Sequence, residues 1–151
     1  MPKSFYHKIK LDQKSQDDLK TLWNPHKSTH RVMKCDHITL YAPTEEIHDR
    51  FHLANHQMKS NKVYGFRTTH LGISPNVMAV KVKLVTQNNV NVDADADDFL
   101  KQLCENKFPH ITLGRKTNAR SKEANDINIW EPIIFPLQVF VQGSIVLETI
   151  K

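Results

Sequence analysis

Apolar and polar residues alternate along several stretches of this chain, a pattern typical of half-buried β-strands. The stretches SFYHKIKLD and VMKCDHITLYA have this alternation, and so do KVYGFRTTHLGI and VMAVKVKLV, which flank Ser74-Pro75-Asn76. The composition of that tripeptide predicts a turn, and therefore a hairpin. The C-terminal stretch IIFPLQVFVQGSIVLETI is also strand-like and predicts a turn near Gln142-Gly143.

Three other stretches predict helices with an apolar side. SQDDLKTLW begins with Ser15 and has Asp18 three residues later, a pattern that resembles a capping box. PTEEIHDRFHLANHQ has Thr44 as an N-cap and acidic residues in its first turn. DADADDFLKQLCENKF starts with aspartates, carries an apolar stripe and leads into the strand FPHITLG. A loop with a short helix is predicted for RKTNARSKEANDINIW.

Helices and strands alternate, but most connections between strands are too short for parallel pairing. We therefore predict an α+β fold with mainly antiparallel strands. No low-complexity tract or linker divides the 151 residues, so a single domain over residues 1–151 is expected. Each half runs from a helix into a strand that carries the residues HITL, which predicts two similar lobes.

Composition excludes few classes of function. Hydrophobic residues make up 39% of the chain and charged residues 25%, which is typical of a soluble globular protein. The formal net charge of +5 favours anionic partners without identifying nucleic acid. No apolar run is long enough to span a bilayer, and MPKSFYHKIK lacks the apolar stretch of a signal peptide. We therefore expect a cytoplasmic or nuclear protein.

Two cysteines, Cys35 and Cys104, are too few for a disulfide scaffold in a domain of this size. Cys35 lies two residues before His37, and in a continuous strand it would share the same face. A catalytic thiol is one interpretation of that position. A small core residue is the other, and it is the one we favour.

The tetrapeptide HITL occurs at residues 37–40 and again at 110–113. Because side chains at i and i+2 of a strand point the same way, His37 and Thr39 share one face, and so do His110 and Thr112. The intervening aliphatic residues face the core. One copy alone would be an ordinary half-buried strand, but two matched copies favour a shared site.

Two imidazoles and two hydroxyls suit the hydrolysis of a phosphodiester. One neutral imidazole can take a proton from water, and one imidazolium can protonate the leaving oxygen. Threonine hydroxyls can donate hydrogen bonds to the phosphate oxygens as charge develops. This chemistry requires neither a metal ion nor a cofactor.

HITLYAP and FPHITLGRK resemble the two motifs of the two-histidine (2H) phosphoesterases, and PHITLGRKTNARSKEAND is most similar to the cyclic phosphodiesterase domain of fungal and plant tRNA ligases. The resemblance implies a bilobal, LigT-like α+β fold, in which two pseudo-symmetric lobes of antiparallel strands with flanking helices surround a central groove. It implies hydrolysis of a 2′,3′-cyclic phosphate on RNA or a nucleotide, leaving a 2′-phosphate. We also expect a monomer. His37 would be the general acid and His110 the base, while Thr39 and Thr112 would hold the phosphate.

Further residues are candidates for substrate binding. Arg115 and Lys116 follow the second motif and could contact an RNA phosphate, as could Arg67. Four aromatic residues could stack on a base, namely Tyr41, Tyr64, Phe66 and Trp130. For Trp130, core packing is the favoured interpretation.

Other functions stay open at this stage. The same motifs are compatible with a 2′,5′-oligonucleotide phosphodiesterase, or with an RNA-binding module that hydrolyses nothing. His48, His52 and His56 are spaced four residues apart on a predicted helix and could bind zinc, although a solvated helix face is the favoured interpretation.

Overall fold

The computed structural model describes residues 5–41, 63–88, 90–92, 108–134 and 137–149. Their elements in chain order are β1 (Phe5–Leu11), α1 (Gln13–Trp23), a 3₁₀ turn (Asn24–His26), β2 (Val32–Met33), β3 (His37–Tyr41), β4 (Tyr64–Ile73), β5 (Val77–Gln87), β6 (Val90–Asn91), β7 (His110–Arg115), a 3₁₀ helix (Ser121–Asp126), β8 (Trp130–Pro132) and β9 (Phe140–Thr149). The helices predicted over 43–57 and 93–107 lie outside the described residues.

The strands form one sheet in the order β2-β7-β5-β4-β9-β1-β3, with β6 beside β5 and β8 beside β4. All of these pairings are antiparallel, which confirms the predicted α+β class. The hairpin between β4 and β5 is also confirmed, since the amide of Ser74 donates to the carbonyl of Val77 at 2.8 Å.

The sheet curls so that its last strand, β3, returns to β7 near the opposite end. The short segment between β2 and β3 makes this connection. Its Lys34 and Cys35 amides each donate to a carbonyl of β7, of Leu113 and Thr112, at 2.9 Å. The amide of Leu11 in β1 donates to the carbonyl of Asp36 at 3.0 Å. The segment therefore joins the two ends of the sheet just before His37.

The stretch VMKCDHITLYA is two strands, because the backbone turns at Cys35, whose φ is 59°. The thiol is buried and donates to the carbonyl of Leu113 at 3.3 Å. Burial, with the nearby charge of Asp36, raises the pKa of Cys35 to about 12. Cys35 therefore does not continue the face of His37, and the core interpretation is confirmed.

The turn predicted at Gln142-Gly143 is wrong, because β9 runs through both residues. The first part of β9 pairs with β4 and the rest with β1, and Gly143 lies opposite Tyr64 on one side and Leu11 on the other. A Cβ atom on Gly143 would collide with the carbonyl oxygen of Lys10. The glycine thus permits a close approach of backbones where β9 joins the two halves of the sheet.

Helix α1 begins earlier than the sequence pattern predicted. Its N-cap is Asp12, whose carboxylate accepts a hydrogen bond from the amide of Ser15 at 2.8 Å. The Ser15 hydroxyl instead accepts from the amide of Gln142 at 2.8 Å. Ser15 therefore ties the helix to β9, and the cap predicted at Ser15 is wrong.

Three aliphatic residues of the two HITL copies lie in the hydrophobic core as predicted, and the side chain of Leu40 lies outside what the structure describes. Ile38 is fully buried, as are Ile111 and Leu113. They pack in one cluster with residues from β1, β4, β5 and β9. Because these side chains hold the inner faces of β3 and β7, the orientation of the histidines on the same strands is determined by the core.

Candidate active site

The two His-x-Thr strands are each held by an antiparallel neighbour. In the first pair, β1 places Lys10 opposite His37 and Lys8 opposite Thr39. In the second pair, β5 places Lys81 opposite His110 and Ala79 opposite Thr112. The two halves therefore present the same motif on the same kind of strand pair.

The structure brings the two motifs together. The segment before His37 is hydrogen-bonded to β7 at Thr112 and Leu113, so that β3 starts beside the second motif. The charge of His37 acts on His110 and contributes to lowering its pKa. The two imidazoles are therefore close enough for their charges to interact, and a shared active site stays a prediction.

His37 sits between a carboxylate and a hydroxyl. Its Nδ1–H donates to Oδ1 of Asp36 at 2.8 Å, and its Nε2 lies 3.1 Å from Oγ1 of Thr39. Burial alone would raise the pKa of Asp36, but the hydrogen bond and charge of His37, with the charge of Lys8, outweigh it and hold that pKa below its usual value. Asp36 therefore stays ionised and accepts a charge-assisted hydrogen bond from Nδ1–H of His37.

His110 has a different environment. It is only 6% exposed, and its Nδ1–H donates to the carbonyl of Phe108 at 3.1 Å. Burial lowers the pKa of His110, the hydrogen bond to Phe108 partly opposes this, and the charge of His37 lowers it further. Near neutral pH the ring is therefore neutral, with Nε2 available as a proton acceptor.

The two imidazoles therefore differ in their surroundings. His37 donates a hydrogen bond to a carboxylate, whereas burial and a neighbouring positive charge lower the pKa of His110. The sequence pattern did not identify Asp36 as a site residue. The feature that could have indicated it is its position directly before His37 in the chain.

Lys8 is a second residue that the sequence pattern did not identify. It lies opposite Thr39 in the register of β1 and β3, is only 7% exposed, and its charge reaches Asp36. A buried lysine on the same strand pair as Thr39 adds positive potential where an anion would sit. Only the pairing of β1 with β3 reveals this position.

Two of the predicted stacking residues are in the core. Tyr64 and Phe66 are both 0% exposed and belong to the main hydrophobic cluster. The prediction that they stack on a substrate base is therefore wrong, because β4 is covered at these positions. The side chain of Tyr41 lies outside what the structure describes.

The basic residues that follow the second motif take part in the loop after β7, Arg115 through its side chain and Lys116 through its backbone. Nη1 of Arg115 donates to the carbonyls of Lys116, Thr117 and Ala119 at 3.1, 3.1 and 2.9 Å, which closes the loop after β7. The amide of Lys116 donates to the carbonyl of Asn76 at 2.9 Å, and its side chain is exposed. Arg67 is exposed on β4. Phosphate contact by any of the three stays a prediction.

The predicted short helix is present as the 3₁₀ helix Ser121–Asp126. Oε2 of Glu123 accepts from the amide of Arg120 at 2.6 Å, and Oε1 of the same residue accepts from Nδ2 of Asn76 at 3.2 Å. Ala124 is buried in a small cluster against which Trp130 packs. This segment therefore packs on β5 through Val77 and Ala79, and Trp130 packs against the same cluster, which confirms the favoured interpretation.

Within the described ranges, no three His, Cys, Asp or Glu side chains cluster in a way that could hold a metal ion. The histidines at positions 48, 52 and 56 lie outside those ranges. Among the helices that the structure describes, none is long and apolar enough to cross a membrane.

No protein-family model and no curated protein sequence matches the chain. Among solved structures, a fungal RNA kinase matches 100% of this chain at a TM-score of 0.59 and 14% identity, and the chain spans 46% of that protein. Two structures of E. coli LigT match at TM-scores of 0.47, in the complex with ATP, and 0.45, with 3′-AMP. Their identities are 13% and 16%, and each is covered over 95% or more of its length. The predicted α+β fold with mainly antiparallel strands is confirmed by the sheet and by the likeness to the fungal RNA kinase chain.

Proposed function

We propose that this chain, which has the fold expected of a two-histidine phosphoesterase, hydrolyses the 2′,3′-cyclic phosphate of RNA ends or nucleotides and leaves a 2′-phosphate. The observation that carries the proposal is the pairing of two His-x-Thr strands whose imidazoles have opposite environments. The likeness to a fungal RNA kinase chain fits a substrate of this class.

His110 is the proposed general base. Its Nδ1–H is committed to the carbonyl of Phe108, so Nε2 of the neutral ring takes the proton from the attacking water. The oxygen of that water forms the new bond to phosphorus. The lowered pKa of His110 keeps the ring neutral at the pH where the reaction runs.

His37 is the proposed general acid. As the bond between phosphorus and O3′ breaks, Nε2–H of the imidazolium delivers its proton to O3′, which leaves a 3′-hydroxyl and a 2′-phosphate. Asp36 is a positioning residue in this scheme, since its carboxylate orients the ring through Nδ1 and stabilises its charge. Proton exchange with water then restores both imidazoles.

Thr39 and Thr112 are the proposed phosphate-binding residues. The hydroxyl of Thr39 is 3.1 Å from Nε2 of His37, so an oxygen bound beside it is within reach of the acid. Thr112 lies on the strand of His110 and is 9% exposed. The buried charge of Lys8 opposite Thr39 favours an anion at this position. With both proton transfers assigned to imidazoles, no step needs a metal ion.

The test is to incubate the protein with 2′,3′-cyclic nucleotides, with RNA ending in a cyclic phosphate, and with 2′,5′-linked oligoadenylate. Phosphorus NMR of the products then gives the position of the phosphate. We expect 2′-phosphates from the first two substrates, equal rates in chelator, and a loss of about two to four orders of magnitude in kcat for His37→Ala or His110→Ala.

Full activity of the doubly substituted protein would overturn the proposal. Turnover of only the 2′,5′-linked oligomer would replace it with the alternative phosphodiesterase. RNA binding without turnover, unaffected by either histidine substitution, would identify a binding module. His26→Ala is a matched control, since this histidine lies in the 3₁₀ turn after α1.

A further inference from the structure

A pocket of ≈ 360 Å³ lies beside the second motif. It is lined by Thr69, His70, Lys81, Val82, Lys83, Phe108 and Pro109. None of these residues belongs to the two His-x-Thr motifs. The ring of Phe108 contacts the ring of His110 edge to face, with centroids 5.5 Å apart, so the pocket adjoins the proposed base.

An irregularity in β4 shapes one wall of the pocket. Thr68 pairs with Val82 and His70 with Lys81, so Thr69 is an extra residue on its strand. Oγ1 of Thr69 donates to the carbonyl of Lys81 at 3.3 Å. Nδ1 of His70 lies 3.0 Å from the same hydroxyl, which orients its ring. The bulge thus holds two polar side chains at the pocket.

The opposite wall holds a lysine between aromatic rings. Nζ of Lys81 is 4.6 Å from the centroid of Phe108 and 4.8 Å from that of Trp130. The two rings contact each other edge to face at 5.1 Å. These contacts hold the ammonium in place, so less side-chain entropy is lost when it binds an anion.

The pocket is positively charged. Lys83 lies two residues after Lys81 on β5 and is exposed, so both lysines point to the same side of the strand. The lining residues that the structure describes include no carboxylate. A site of this charge, with an aromatic wall, suits the phosphate backbone of a nucleic acid strand.

We propose that this pocket binds the RNA strand that leads to the cyclic phosphate, with the preceding phosphate held by Lys81 and Lys83. The inference rests on the proposed function, because it assumes that the reacting phosphate lies between His37 and His110. It adds that the chain acts on RNA ends in preference to cyclic mononucleotides, which lack the preceding phosphate.

The experiment compares kcat/KM for a 2′,3′-cyclic mononucleotide with kcat/KM for a short RNA that ends in the same cyclic nucleotide. In the wild-type protein we expect the ratio to favour RNA by about ten-fold or more at low salt, and to fall as salt rises. Lys81→Met keeps the aliphatic stem and removes the charge. It should lower the ratio about ten-fold, mainly through KM for RNA, and reduce the salt slope by about 1.

Two further variants keep the test decisive. Lys83→Met alters an exposed lysine and should lower the ratio in the same direction, even if Lys81→Met disturbs the packing of the rings. Lys27→Met removes an equal charge from an exposed residue that does not line the pocket, and should leave the ratio unchanged. Because the lysines contact phosphate and not base edges, the effect should be equal for RNAs of different sequence.

The outcomes separate this proposal from the proposed function. Turnover of both substrates with equal efficiency, or a ratio that neither pocket variant changes, would overturn the pocket and leave the phosphodiesterase intact. If neither substrate is turned over, fluorescence anisotropy of a labelled RNA with a 2′-phosphate end decides the matter. Binding that Lys81→Met and Lys83→Met weaken would support the pocket alone, and binding that they leave unchanged would overturn it.

Discussion

The contact between Asp36 and His37 makes the sharpest prediction. Asp36→Asn is nearly isosteric, and the amide oxygen can still accept the hydrogen bond from Nδ1 of His37. The substitution therefore keeps the orientation of the ring and removes only the negative charge. If Asp36 stabilises the imidazolium, the supply of protons to the leaving oxygen must weaken.

The expected size of the effect follows from the hydrogen bond. A bond to a charged group contributes about 1.5–3 kcal/mol, against about 0.5–1.5 kcal/mol for a neutral pair, so the difference is about 1–2 kcal/mol. The Asp36 side chain is 44% exposed, and water screens part of the interaction. We therefore expect an effect near the lower end of this free-energy range, which corresponds to a loss of about five- to ten-fold in kcat.

The assay is the pH dependence of kcat and kcat/KM on a cyclic-phosphate substrate. With the carboxylate absent, Nδ1–H of His37 loses a charge-assisted hydrogen bond, so kcat should be lower than in the wild-type protein across the pH profile. KM should change little, because Asp36 acts through His37 and not on the substrate. Asp18→Asn, on the exposed side of α1, removes the same charge as a control.

One result would refute this reasoning. A pH–rate profile for Asp36→Asn that superimposes on the wild-type profile, with the thermal midpoint also unchanged, would show that the carboxylate does not act on the acid. A uniform loss of activity that tracks a lower thermal midpoint would assign Asp36 a role in folding only.

Three further predictions concern other parts of the chain. The acid limb of the kcat/KM profile should lie below pH 6.5, because the pKa of His110 is lowered and the base works only above it; a limb above pH 6.5 would contradict this. Gly143→Ala should lower the free energy of unfolding by about 1–3 kcal/mol, measured in urea, since its Cβ meets the carbonyl of Lys10; an unchanged midpoint would argue against the close approach. In a Cys104→Ala background, Cys35 should resist alkylation at pH 8 until the protein unfolds, because its pKa is about 12; rapid labelling of the native protein would be inconsistent with its burial.

The orientation of the catalytic candidates followed from local geometry. Alternation along a strand is a property of the backbone, so Ile38 and Ile111 could be assigned to the core, and His37 and His110 to the other face, without knowledge of the fold. The same alternation did not reveal that Tyr64 and Phe66 are buried. A period of two fits either a core face or a binding face, and only the packing of β4 in the sheet assigns these two side chains to the core.

The break between β2 and β3 at Cys35 and the continuity of β9 show a second limit of prediction from the sequence. A backbone with positive φ at a cysteine is uncommon, and hydrogen bonds to β7 hold it there. Gly143 resembled a turn residue because glycine is common in turns, yet it lies in a long strand where three backbones converge. Both features depend on strands far away in the chain.

The amino-acid sequence by itself determined which residues can do chemistry and which way each faces, because the two-residue period of a strand acts over only a few positions. The tertiary structure alone decided which groups surround them. It placed a carboxylate on His37, a carbonyl and a buried setting around His110, and Lys81 beside Phe108. Strand register and the curling of the sheet produce these contacts, and both arise from packing between residues that are distant in the chain.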